Sequence, residues 1–172
     1  MTAAQAANSR RSTDCRLDTP TVDDGAALWR IARDSKALDL NSSYSYLLWC
    51  RDFARTSVVA RADDGTPVGF VTGYVRPERP ETLVVWQVAV DDAYRGRGLA
   101  ASMLDELTER VTAQGIRHVE TTITPDNDAS NRLFTSYGER HGATVEREVL
   151  FHGVQFPDGH DPEVLYRIGP LG

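Results

Sequence analysis

Val88-Ala89-Val90-Asp91-Asp92-Ala93-Tyr94-Arg95-Gly96-Arg97-Gly98-Leu99-Ala100 reads as the end of a strand, a tight basic turn and the first turn of a helix. Glycines let a backbone approach a ligand without a Cβ in the way, and the N–H groups that open a helix point at an anion. Arg95 and Arg97 add positive charge where a pyrophosphate would lie. Two other readings compete. Gly96, Gly98 and Ala101 also fit the dinucleotide fingerprint, but five residues, Asp91 to Arg95, separate strand from glycine, the motif lies mid-chain, and Glu120 falls inside the next strand instead of at its end. A plain surface turn would use the glycines for geometry but has no need of arginines flanking a helix start.

Upstream, Thr82 to Val90 is apolar almost throughout and reads as a central strand buried on both faces. Before it, Val58-Val59 and Val68 to Val75 are β-prone runs joined through the hairpin signal Asp63-Asp64-Gly65. Further back, Thr21 with Asp24 resembles a capping box and opens a helix over Val22 to Asp34, and a second helix is expected within Leu38 to Phe53, entered through Asn41-Ser42-Ser43. Downstream, Leu99, Met103, Leu104, Leu107 and Val111 share one helical face, with Gly115 as the stop. Val119 to Ile123 then reads as a strand, Asn127 to Tyr137 as a helix, and Ala143 to Phe151 and Val164 to Ile168 as strands flanking an irregular loop. The order implies an α/β domain with a mixed sheet and antiparallel strands at both ends.

Composition narrows the chemistry. At 172 residues and 41% hydrophobic the chain has material for one core. Its 19 basic against 25 acidic residues leave a net charge of −6, which disfavours nucleic acid or an anionic membrane surface as a partner. Lys36 is the only lysine, so there is no P-loop and lysine Schiff-base chemistry would rest on that residue alone. Cys15 and Cys50 are too few for a disulfide framework, and neither shows metal-ligand spacing with His118, His141 or His152, so no metal is expected. The first fourteen residues lack the apolar stretch of a signal peptide, and nothing approaches the ~20 apolar residues of a membrane span. The expectation is a flexible tail over residues 1–14 and a single cytoplasmic domain over 15–172.

Arg95-Gly96-Arg97-Gly98-Leu99-Ala100 resembles the acetyl-CoA motif of the GNAT N-acetyltransferase superfamily, in which Gln or Arg is followed by two free positions, Gly, one free position, and Gly or Ala. A second motif of that superfamily is matched in register by Asn127, Ser130, Leu133, Phe134 and Gly138. The resemblance implies a mixed, mostly antiparallel sheet of about seven strands with a parallel central pair and helices on both faces. It further implies acetyl-CoA held where Leu83 to Val90 and Val119 to Ile123 splay apart. Val88 and Val90 would bond the pantetheine arm, and the amides of Arg95, Gly96, Arg97, Gly98, Leu99 and Ala100 would hold the pyrophosphate. Asn127 would contact the pantetheine or fix the second helix. In many members a tyrosine at the place of Phe134 delivers a proton to the departing thiolate, which phenylalanine cannot do; Tyr137 and Tyr44 are the substitutes.

The resemblance narrows to the branch of that superfamily that acetylates L-2,4-diaminobutyrate on the way to the compatible solute ectoine. It is carried by Asp39 to Tyr46, Thr82 to Val90 and His160 to Ile168. It implies Asp39, Trp86 and Glu163 as substrate contacts, Tyr44 and His160 near the reacting amine, and a homodimer. A diamine that also bears a carboxylate calls for carboxylates, for which Asp39 and Glu163 are candidates, a wall or cation–π face, for which Trp86 is, and a donor, for which Ser42, Asn41 or an arginine is. Taken one by one they have plainer roles: Trp86 as core, Asp39 as a helix cap, Tyr44 as packing, His160 as a loop residue. Another small amine, a protein N-terminus, or a non-catalytic acyl-CoA sensor remain alternative readings.

Overall fold

The structure is a computed structural model that describes residues 10–12 and 15–172. Of the expected tail, residues 1–9, 13 and 14 lie outside the described residues. The chain forms two compact units that interleave in sequence, one of the described residues up to Thr72 with Gln87–Leu107, the other of Gly73–Trp86 with Thr108–Gly172.

In the first unit, strands β1 (Arg10–Ser12), β2 (Cys15–Asp18), β3 (Val58–Arg61), β4 (Pro67–Val75) and β5 (Thr82–Val90) are successive neighbours, with β4 and β5 running on into the second unit. β1 and β2 were not expected from sequence, because Arg10–Ser12 and Cys15–Asp18 are too short and too charged to show a period of two. The β3–β4 hairpin turns at Gly65, whose N–H donates to the Ala62 carbonyl at 2.9 Å. Helix α1 (Gly25–Ser35) follows a short 3-10 turn over Val22–Asp24, and α2 (Ser43–Asp52) follows a loop. Leu28, Ile31 and Ala32 of α1, at helical spacing, meet Tyr46 and Cys50 of α2 and Val59, Phe70 and Ala89 of the sheet in one core.

That core is bordered by a buried ion pair. Arg61 forks onto Asp24 at 2.7 and 2.8 Å and reaches Asp18 at 3.0 Å, tying the start of α1 to β2 and β3. Burial alone would raise the Asp24 carboxyl, but hydrogen bonds from Arg61 and the Thr21 N–H, with the guanidinium charge, outweigh it and hold the group below its usual range.

In the second unit the order is β5, β6 (His118–Ile123), β8 (Glu163–Gly169), β7 (Thr144–Phe151). β5 and β6 form the parallel pair, and β6–β8 and β8–β7 are antiparallel. Helix α3 (Leu99–Thr112) ends in this unit, and α4 (Asp128–Arg140) belongs to it. A Cβ at Gly138 of α4 would lie 2.3 Å from Val145 of β7, so the glycine closing the second motif is there for close helix–strand packing.

β5 departs from expectation in its burial. Leu83, Val85, Gln87 and Ala89 are buried while Val84, Trp86, Val88 and Val90 are only half-buried, so the strand alternates instead of being covered on both faces.

Candidate active site

The glycine-rich basic turn is built within the first unit. As β5 ends, the Asp91 N–H donates to the Val68 carbonyl at 2.8 Å. Arg30 of α1 grips the Asp91 carboxylate with two bonds of 3.0 and 2.9 Å. A 3-10 turn over Asp92–Tyr94 follows, and then Gly96 and Gly98 at φ +74° and +73°. Nothing lies within 4 Å of a Cβ at either glycine, so left-handed backbone, not lack of space, is what this turn itself demands of them. The turn delivers the chain into α3, whose first N–H groups have no acceptor within the helix and are available to an anion.

Both arginines of the turn brace it as well as charging it. Arg95 donates to the Val90 carbonyl at 3.1 Å and pairs with Asp92 at 2.9 Å. Arg97 donates to the Ala93 carbonyl at 3.1 Å and lies 5.2 Å above the Tyr94 ring. A cavity of about 270 Å³ opens beside the turn, lined by Ile31, Asp34 and Ser35 of α1 and by residues 90–95.

The same unit carries Asp39 and Tyr44. Asp39 is not the cap of α2, since Ser42 occupies that position. Its carbonyl instead accepts a 2.9 Å bond from the Gln87 side chain and a 3.3 Å bond from Asn41. This anchor holds residues 39–42 as a loop, and α2 starts at Ser43, entered through Asn41-Ser42-Ser43 as expected. Tyr44, in the first turn of α2, is 66% exposed, so it is no packing residue. Tyr46 is fully buried and donates to Gln87 Oε1 at 2.9 Å. Cys50 is buried in α2; desolvation, then the charge of Asp24, pushes its thiol up to about 11, which keeps it an inert part of the core.

In the second unit, the β5–β6 ladder covers Thr82–Val84 against His118–Glu120, and the Thr121 hydroxyl donates to the Val85 carbonyl at 3.1 Å. Trp86 is the next residue but one after the last ladder pair, Val84 with Glu120. Glu163 opens β8, one residue earlier than expected, and so stands on the sheet and not in the loop. His160 precedes it, with Nε2 3.7 Å from Glu163 Oε1 and Nδ1 2.6 Å from the Asp161 carbonyl. The Phe156 ring stacks on the imidazole at 4.4 Å. A carbonyl at Nδ1 requires a proton there, and Nε2 is the ring nitrogen that faces Glu163.

Asn127 is the cap of α4, its Oδ1 accepting the Ser130 N–H at 3.1 Å. Phe134 is 2% exposed. Tyr137 is fully buried with its hydroxyl on Thr108, so of the two substitutes only Tyr44 is open to solvent. Tyr166 of β8 donates to Asn131 of α4. Sequence reading gave Tyr46 a packing role but missed its bond to Gln87, the role of Gln87 and the Arg30–Asp91 pair; the one available signal was Gln87 itself, the only amide in an apolar strand. Among the described residues no cluster of His, Cys, Asp or Glu could hold a metal ion, and no helix is long and apolar enough to cross a membrane.

The profile of the acetyltransferase (GNAT) family matches residues 25–138. The L-2,4-diaminobutyric acid acetyltransferase of Streptomyces avermitilis is 75% identical over 158 residues, covering 91% of this chain and 88% of that one. Its counterpart in Streptomyces coelicolor is 68% identical over 173 residues, covering 99% and 98%. Among solved structures, a diaminobutyrate acetyltransferase from Paenibacillus lautus, in complex with its substrate L-2,4-diaminobutyric acid and coenzyme A, superposes with a TM-score of 0.86 at 38% identity, covering 95% of this chain and 96% of that one.

Proposed function

We propose, from the premise that the chain belongs to the acetyltransferase (GNAT) family, that it transfers the acetyl group of acetyl-CoA to the 4-amino group of L-2,4-diaminobutyrate, releasing CoA and N4-acetyl-L-2,4-diaminobutyrate for ectoine synthesis and osmoprotection. The observation that carries this reading is the near full-length likeness to an enzyme solved with that diamine and coenzyme A.

An amine attacks a thioester only as the free base. Neutral His160, held with its proton on Nδ1, accepts the amine's proton at Nε2, and Glu163 stabilises the resulting imidazolium. Asp39, Glu163 and the Trp86 face receive the substrate's ammonium charge. The amine nitrogen bonds to the thioester carbonyl carbon, the C–S bond breaks, the Tyr44 hydroxyl protonates the leaving thiolate, and the tyrosinate so formed takes up the remaining proton from the new amide nitrogen. On the cofactor side the amides of Arg95 to Ala100 take the pyrophosphate and the backbone of Val88 and Val90 the pantetheine arm, with Asn127 fixing α4. No acetyl-enzyme forms, in keeping with an inert Cys50.

A homodimer and a cytoplasmic location complete the reading. β7 closes the sheet with Val149, Leu150 and Phe151 between 40% and 45% exposed and Val154 beyond it 95% exposed, an apolar edge suited to a second copy. Two free buried thiols suit a reducing compartment.

CoA release measured with acetyl-CoA and diaminobutyrate, putrescine, lysine or a peptide, with NMR of the product, tests the substrate. The 4-acetyl product is expected. Turnover of another acceptor alone would replace the substrate, and silence with all four would favour an acyl-CoA sensor. Sedimentation of wild type and Val154→Asp tests the dimer.

A further inference from the structure

Gln87 is the one amide in a strand that is otherwise apolar from Leu83 to Val90, and it is only 5% exposed. A buried amide left unmatched is costly, so such a residue persists where both ends are used. Both are. Its Nε2 donates to the Asp39 carbonyl at 2.9 Å and its Oε1 accepts the Tyr46 hydroxyl at 2.9 Å. Asn41 closes the chain of bonds, donating to the same Asp39 carbonyl at 3.3 Å and engaging the Tyr46 hydroxyl, which burial pushes up and these bonds partly restore. The loop that presents Asp39 and the helix turn that presents Tyr44 are therefore both referenced to one side chain on β5.

We propose that Gln87 is a positioning residue for the amine acceptor, fixing where the Asp39 carboxylate and the Tyr44 hydroxyl stand and thereby setting selectivity for a short diamine. The inference rests on the reading of Asp39 and Tyr44 as acceptor-side residues. Gln87 itself touches no reacting atom. Its neighbour Val88 carries the backbone assigned to the pantetheine arm, so a strand that merely collapsed would disturb acetyl-CoA and amine alike, whereas loss of the amide bonds would disturb the amine alone.

The experiment uses the full chain with Gln87→Met, which keeps length and burial but removes both bonds, the milder Tyr46→Phe, which removes one, and the double variant. Steady-state constants for diaminobutyrate and acetyl-CoA are measured with thermal melts. Gln87→Met should raise the diaminobutyrate KM about tenfold, the equivalent of one or two net hydrogen bonds. The acetyl-CoA KM should stay within about twofold, and the double variant should resemble Gln87→Met because the bonds form one chain. Relative turnover of longer amines such as lysine should rise. An unchanged diaminobutyrate KM, or both constants moving together, overturns the proposal; if Gln87→Met fails to fold, the same split in Tyr46→Phe decides. A wild type inactive on diaminobutyrate removes the parent reading and this one with it, while an active wild type with unmoved variants removes this one alone.

Discussion

Replacing Arg30 with methionine would leave α1 intact but release the start of the phosphate turn. The two bonds to Asp91, 3.0 and 2.9 Å long, are charge-assisted, a class worth about 1.5–3 kcal/mol each when shielded from water. Arg30 is 37% exposed and Asp91 21%, so solvent screening reduces the pair to about 1–2 kcal/mol in total. That energy orders Asp91 and hence the path into Gly96 and Gly98. If the freed turn must be reordered by the ligand, the acetyl-CoA Kd rises by about five- to thirtyfold. Calorimetric titration of acetyl-CoA into wild type, Arg30→Met and Asp91→Asn measures it, and the two variants should agree because each removes the same pair. A melt confirms that the protein stays folded. A Kd within twofold of wild type in a folded variant would refute the reasoning and reduce the pair to a surface contact.

Arg61→Met strands the Asp24 carboxylate in the core border and should cost about 3 kcal/mol near neutral pH, read as a Tm fall of roughly 6–12 °C. Because folding lowers the Asp24 pKa from its ordinary 3.8, the stabilisation is complete above that value and fades as pH falls through the folded one, so variant and wild type should converge in acid. Phe134→Tyr, which restores the common family residue, places a hydroxyl at a 2% exposed site and should lower stability by about 1–3 kcal/mol without raising kcat. Glu163→Gln should raise the diaminobutyrate KM and leave that of acetyl-CoA unmoved; the opposite pattern in steady-state kinetics would show the substrate side to be misassigned.

Much of this was legible in the chain because local chemistry and tertiary role agree. The glycines and arginines of residues 95–98 announce a turn that leads into a helix, and the apolar run of Thr82–Val90 announces a strand. His160 and Glu163 do come together at the spacing read from sequence, although Glu163 belongs to β8. What escaped is what depends on partners distant in sequence. Gln87 reads as a flaw in an apolar strand until Asp39 and Tyr46 are seen on its two ends. Tyr137 looks like a candidate for chemistry until burial and its bond to Thr108 place it in packing. β1 and β2 exist through pairing with each other and with β3, not through any pattern of their own.

The two units interleave, and this has a practical consequence at the phosphate turn. Arg95 and Arg97 are exposed and each is followed by a left-handed glycine, which makes the turn an inviting substrate for trypsin. A cut there severs the chain inside the second segment of the first unit, so each fragment keeps segments belonging to both units. Nicking should thus leave two fragments that co-elute as a folded pair yet have lost affinity for acetyl-CoA, and saturating acetyl-CoA should slow the cut. Protease sensitivity at this one turn then becomes a reporter of cofactor occupancy that needs no knowledge of the acceptor amine.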